Sequence, residues 1–220
     1  MSESEMILVV GATGMVGSEI CRLLSDKGKS VRALVRETSN PQIVARLEAF
    51  GAEIVRGDLK NRASLDAACQ GATAVVSTAS ATRTPQPGDS LESVDAQGQM
   101  NIIEAAKTAG VDHFVFISFP PTGLEFPLQS AKRTAEERLK TSGMTYTVLQ
   151  PTCFMEVWLS PHLGFDMANA QARIYGLERI RSVGFRFRMS RNSPWSHSIP
   201  PVQKTRLSNW AVRMPCLRFK

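Results

Sequence analysis

Short apolar runs alternate with helical patterns from residue 6 to residue 150, and each helical pattern closes on a glycine. The runs are "MILVV", "SVRALV", "AEIVRG", "TAVVSTA", "HFVFIS" and "TYTVLQP". The helical patterns between them stop at Gly28, Gly51, Gly71, Gly110 and Gly143. Glycine is the residue that most readily closes a helix in the left-handed conformation. In the first pattern, Val16, Ile20, Leu23 and Leu24 form the apolar stripe. Strands that are apolar almost throughout belong in a parallel sheet covered on both faces. Right-handed crossovers between them then give an α/β fold with a doubly wound parallel sheet.

The 220 residues are 43% hydrophobic, enough for a substantial core. No run approaches the roughly 20 apolar residues of a membrane-spanning helix. The opening "MSESEM" is acidic, the reverse of a secretory or transit signal. Cys21, Cys69, Cys153 and Cys216 are scattered without disulfide or metal spacing, and His113, His162 and His197 form no cluster. A cytoplasmic protein with reduced thiols and no metal is expected.

The turn between the first strand and the first helix, "VVGATGMVG", places glycines at 11, 14 and 17. Gly11 permits a tight turn, Gly14 lets the backbone approach a diphosphate, and Gly17 lets the helix lie close to the strand. Thr13, Met15 and Val16 line the same turn, and the amides of a helix N-terminus favour an anion. The expected ligand is therefore a nicotinamide dinucleotide. The second strand ends in "ALVRETS", with Arg36 where an NAD site carries an acid. A guanidinium pairs with a 2′-phosphate, which favours NADP(H) over NAD(H), and Thr38 and Ser39 add donors. Glu37, one residue on, argues the other way. Asp58, followed by Leu59, is placed to bond the adenine amino group. Ser77, Thr78 and Ala79 are small enough to pass the nicotinamide ribose.

The segments "ILVVGATGMVG", "LVRETS", "IVRGDL", "NIIEAAKTAGVDHFVFIS", "SAKRTAEERLKTSG" and "YTVLQPTCFMEVW" together resemble the NmrA-like branch of the atypical short-chain dehydrogenases/reductases, over about residues 5–176. The resemblance implies an NAD(P)-binding Rossmann domain over 1–155 and the start of a substrate region over 156–176. It also implies that Pro151 and Phe154 contact nicotinamide. The branch contains both reductases and redox sensors that bind the nucleotide without turnover, so a protein partner is one expectation. Short-chain reductases use Ser, Tyr and Lys, with the Tyr one helical turn before the Lys. Ser118 and Lys132 stand at the serine and lysine positions, but Leu128 stands where the tyrosine would be. Lys132 is then the candidate for ribose binding, proton transfer or both. Ser118 is the candidate for polarising a carbonyl, or alternatively a strand-end hydroxyl bonded to backbone. The helix carrying Lys132 reads as mostly solvated. Met155, Trp158 and Leu159 either line a pocket or pack in the core.

Residues 1–176 hold 16 basic against 19 acidic side chains, whereas residues 177–220 hold 10 against 1. This basic, proline-broken tail shows no strand–helix pattern. It is either an anion-binding tail or the product of a single-nucleotide deletion near the Gly176 codon, leaving the substrate region short and incomplete. The second reading is favoured, because a frame one base earlier can encode a strand, a helix and another strand resembling the family's continuation. Nucleic acid is accordingly not expected as a partner. Sequencing this stretch from independent clones should show the deletion, and an intact frame encoding the basic tail would contradict it.

Overall fold

The structure, a computed structural model, describes residues 5–83, 85–121, 123, 125–152, 154–166 and 171–172. Both readings of the 177–220 tail lie outside the described residues. Six strands, β1 (Met6–Val10), β2 (Ser30–Val35), β3 (Glu53–Arg56), β4 (Ala74–Ser77), β5 (His113–Ile117) and β6 (Thr145–Leu149), form one sheet in the order β3-β2-β1-β4-β5-β6. Every neighbouring pair is parallel, with Val10 opposite Leu34 on one side and Ser77 on the other. The connecting helices are α1 (Met15–Asp26), α2 (Pro41–Ala49), α3 (Arg62–Cys69), α4 (Gln97–Thr108) and α5 (Pro127–Lys140). The expected doubly wound α/β fold is the observed one.

Both faces of the sheet are buried, as parallel strands require. Alternate residues of β1 go to opposite sides. Leu8 and Val10 join Leu65, Ile102, Ile103, Phe114, Phe116 and Leu139 in a core under α3, α4 and α5. Ile7 and Val9 join Cys21, Val31, Val35, Val44 and Leu47 in a core under α1 and α2. Burying each large apolar side chain contributes roughly 1.5–3 kcal/mol, so these two layers hold the strand ends where they are. Cys21 and Cys69 lie inside them, and burial pushes their thiols up to about 11 and about 12. Neither is a nucleophile at neutral pH.

Each of the five expected stop glycines has a positive φ. Two details of the helices differ from the sequence reading. Leu23 is not part of the buried stripe of α1 but is 43% exposed, and the line of closest approach runs through Gly17 and Cys21. α5 is not mainly solvated, since Ala131, Lys132, Ala135, Glu136 and Leu139 are all buried.

One compact unit includes the described residues up to Thr152, and a second includes those from Phe154 on. In the second unit, α6 (Met155–Trp158) is followed by a short antiparallel pair, β7 (Phe165–Asp166) and β8 (Gln171–Ala172). Leu159 is 43% exposed there rather than packed, and the side chains of Met155 and Trp158 lie outside what is described.

Candidate functional site

The sheet order reverses between β1 and β4, and the crevice at such a switch point is where open α/β sheets bind ligands. Gly11 leaves β1 with φ +81°, and a Cβ there would meet Thr78 Oγ1 at 2.7 Å and the Ala79 nitrogen at 2.8 Å. Thr78 closes the seam by donating from Oγ1 to the carbonyls of Val10 (3.1 Å) and Gly11 (3.3 Å). At Gly17 a Cβ would sit 2.2 Å from the Gly11 oxygen, a contact that no side chain tolerates. Gly17 is thus what allows α1 to start directly behind the turn. Gly14 is the N-cap and donates to Gly11 O (2.9 Å). A Cβ on Gly14 would meet only that carbonyl, at 3.2 Å, and otherwise open space.

No side chain caps α1 and no acid lies in its first turn. Ser18 donates to Gly14 O (2.9 Å), which leaves the amides of Met15, Val16 and Gly17 directed out of the helix end. A glycine cradle, three free amides and a positive helix terminus together fit a diphosphate. Thr13 is half-buried inside the turn, and Met15 is 40% exposed beside it.

On the β2 side, Arg36 and Lys60 converge on one carboxylate, that of Asp89. Arg36 Nη1 donates to Oδ2 and Lys60 Nζ to Oδ1, both at 2.6 Å, and the Gln86 amide donates to Oδ2 at 2.9 Å. The Asp89 side chain is 3% exposed. Burial alone would raise its carboxyl, but Lys60, the Gln86 amide and Arg36 outweigh that and hold it at about 2. Ser39 Oγ accepts from the Arg36 amide (3.0 Å), and Thr38 Oγ1 bonds Gln86 Oε1. Glu37 is exposed. Asp58 folds back on its own turn, accepting from the Lys60 amide at 2.8 Å, while Asn61 caps α3. The Leu59 side chain faces the core, and its carbonyl accepts from Asn101 Nδ2 (2.9 Å).

The third group lies at the ends of β4 and β5. A π-helical turn over Leu91–Ala96 precedes α4, set by a reciprocal Ser90–Ser93 capping box, and it buries both Val94 and Asp95. Asp95 Oδ2 accepts from the Ala81 amide (2.9 Å), and Oδ1 lies 3.5 Å from Lys132 Nζ. That ammonium also donates to Ile117 O (3.3 Å) and sits 4.8 Å from the centre of the Phe116 ring. Burial pushes the Lys132 amine below its ordinary value, against the pull of Asp95 and Glu136. Ser118 directly follows β5, with its amide donating to Leu149 O (2.7 Å). Its buried Oγ has no hydrogen-bond partner among the described residues, so the backbone-bonded alternative is not what forms. Ser77 turns its Oγ inward, where it donates to Gln99 Oε1 (2.8 Å).

Of the remaining expected contacts, Ala79 lies against Gly11, Pro151 follows β6 in the first unit, and Phe154 belongs to the second unit. Leu128 is half-buried one turn before Lys132. Sequence reasoning missed Lys60, Asp89 and Asp95. Asp95 had a legible signal, being a carboxylate in line with Gln99, Ile102 and Ala106, all of them buried. Asp89 had none, because "QPGDS" reads as an ordinary turn.

A doubly wound parallel sheet with an uncapped helix end at its switch point defines a Rossmann-type domain. The chain belongs to the NmrA-like family, whose sequence profile matches residues 3–179. It is 36% identical over 152 residues to the photosystem II assembly factor Ycf39 of Trieres chinensis, covering 68% of this chain and 46% of that protein. It is also 36% identical over 153 residues to an NAD(P)H azoreductase of Xenophilus azovorans, covering 69% and 49%. Among solved structures, an Escherichia coli NADPH-dependent quinone oxidoreductase complexed with NADPH superimposes with a TM-score of 0.56 at 27% identity, over 72% of this chain and 53% of that one. The chain spans about half the length of the curated relatives it matches. No helix among the described residues is long and apolar enough to cross a membrane, and no three potential metal-ligating side chains cluster among them.

The Asp89 network sets a pH dependence. The carboxyl titrates at about 2 in the fold against 3.8 ordinarily, so its contribution to stability is complete above about pH 4 and is lost as pH falls through about 2. The stability gap between wild type and Asp89→Asn, measured by urea unfolding, should therefore shrink between pH 4 and pH 2. A gap independent of pH would contradict the network.

Proposed function

We propose that the chain binds NADP(H) across the switch point and acts as an NAD(P)H-dependent oxidoreductase with an atypical proton donor. The carrying observation is the bare first turn of α1 behind Gly11 and Gly14. The amides of Met15, Val16 and Gly17 hold the diphosphate, with Thr13 alongside. Arg36, Thr38 and Ser39 take the 2′-phosphate, and the Asp58–Leu59 turn borders adenine. Thr78 and Ala79 leave room for the second ribose, and Pro151 flanks nicotinamide. The bound coenzyme supplies hydride. Lys132 binds ribose and gives a proton to the reduced group, a role that suits an amine lowered by burial. The unpartnered Ser118 Oγ is available to polarise a carbonyl. Residues 1–155 form the dinucleotide domain and 156–176 open the substrate region. The scattered cysteines suit a reducing cytoplasm.

A second reading rests on Leu128. It cannot donate a proton, so nucleotide binding without turnover, read out by a protein partner, is the function expected if Lys132 serves ribose alone.

Fluorescence titration with NADPH, followed by its consumption with a panel of quinones and carbonyls, separates the two. Binding with consumption is expected, and binding without consumption by any acceptor would favour the regulator. Arg36→Ala should weaken NADPH roughly ten- to a hundredfold, the worth of a charge-assisted contact. NADH should change little, and equal losses for both coenzymes would refute the 2′-phosphate role.

A further inference from the structure

Arg36 and Lys60 do not wait as free cations. Both are held by Asp89, and the local sequence builds that arrangement. In "QPGDS", Pro87 and Gly88 (φ +82°) occupy the central positions of a turn closed by the Asp89 amide on Gln86 O (2.8 Å). A fixed-φ proline followed by a positive-φ glycine makes a type II turn. The Ser90–Ser93 capping box then anchors the next residue. Asp89 is thus fixed from both sides. Both of its oxygens are engaged, by Lys60 on one and by Arg36 and the Gln86 amide on the other. A second tie, Thr38 to Gln86, holds the same turn against the end of β2.

A 2′-phosphate carries up to two negative charges and seeks the same donors as a carboxylate. It cannot share Arg36 and Lys60 with an ionised Asp89 at hydrogen-bond distance without strong repulsion. We propose that Asp89 is an internal stand-in for the coenzyme 2′-phosphate and a specificity-determining residue, with Lys60 as the second cation of that subsite. The inference rests on the NADP(H) reading and adds a competitor to it. NADP(H) binds by displacing Asp89 and releasing the 86–89 turn, and its apparent affinity is reduced by the fraction of molecules in which Asp89 holds the cations. A coenzyme without the 2′-phosphate has no such displacement to make.

The discriminating experiment is calorimetric titration of the full chain with NADPH and NADH, for wild type, Asp89→Asn and Arg36→Ala. Asp89→Asn removes the competing charge, so the ratio of NADPH to NADH affinity should rise about tenfold. An unchanged or lower ratio, with Arg36→Ala still selectively weakening NADPH, overturns the Asp89 role and leaves the NADP(H) reading intact. Equal weakening of both coenzymes by Arg36→Ala defeats both. Hydrogen exchange on wild type tests the same claim should the variant fold poorly. The Gln86 and Asp89 amides should exchange at least several-fold faster with saturating NADP⁺ and not with NAD⁺. Unchanged or slower exchange with NADP⁺ would overturn the displacement.

Discussion

The contact on which everything else depends is that of Gly17 with the Gly11 carbonyl. Any side chain at 17 would have its first carbon 2.2 Å from that oxygen. Its absence lets α1 begin immediately behind β1. The helix end then faces the crevice where the sheet order reverses, between the ends of β1 and β4. The apolar layers on both sides of the sheet keep it there. An anion site made of main-chain amides needs no charged side chain, which is why the first turn of α1 can be bare of caps and acids.

Charge enters at the two flanks of that seat, and in both places a buried carboxylate partners a lysine. Asp89 engages Arg36 and Lys60 at the β2 end, and Asp95 engages Lys132 at the β5 end. The two carboxylates have different consequences. Around Asp89 the cations outweigh the effect of burial on the acid, whereas burial dominates at Lys132 and lowers the amine. One flank therefore holds a fixed carboxylate between two cations. The other holds an amine closer to the range in which protons move at neutral pH. On the proposed NADP(H) reading, these two flanks correspond to the 2′-phosphate and nicotinamide ends of the coenzyme.

The sheet, its parallel sense and the glycine turn were legible because each rests on local pattern. Apolar strands, helix-stopping glycines and the spacing of Gly11, Gly14 and Gly17 are properties of short segments. What escaped the sequence was long-range. Arg36 meets Asp89 53 positions away, and nothing in "QPGDS" announces it. The π-helical turn that buries Asp95 reads as one more helical turn, yet it places the carboxylate against Lys132. Ser77 looked like a small residue beside a ligand, but strand alternation turns it inward to Gln99. Leu23 fitted the helical stripe and still lies outside the contact, because the close approach at Gly17 rotates the buried line toward Cys21.

The most direct test is a nitrogen–proton correlation spectrum of the full chain during titration with NADP⁺. If main-chain amides at the start of α1 seat the diphosphate, the signals of Gly14, Met15, Val16 and Gly17 should move together, saturably, and in the same way with adenosine diphosphate alone. Saturable binding that leaves those four signals in place, or no binding of either nicotinamide coenzyme, would contradict the account.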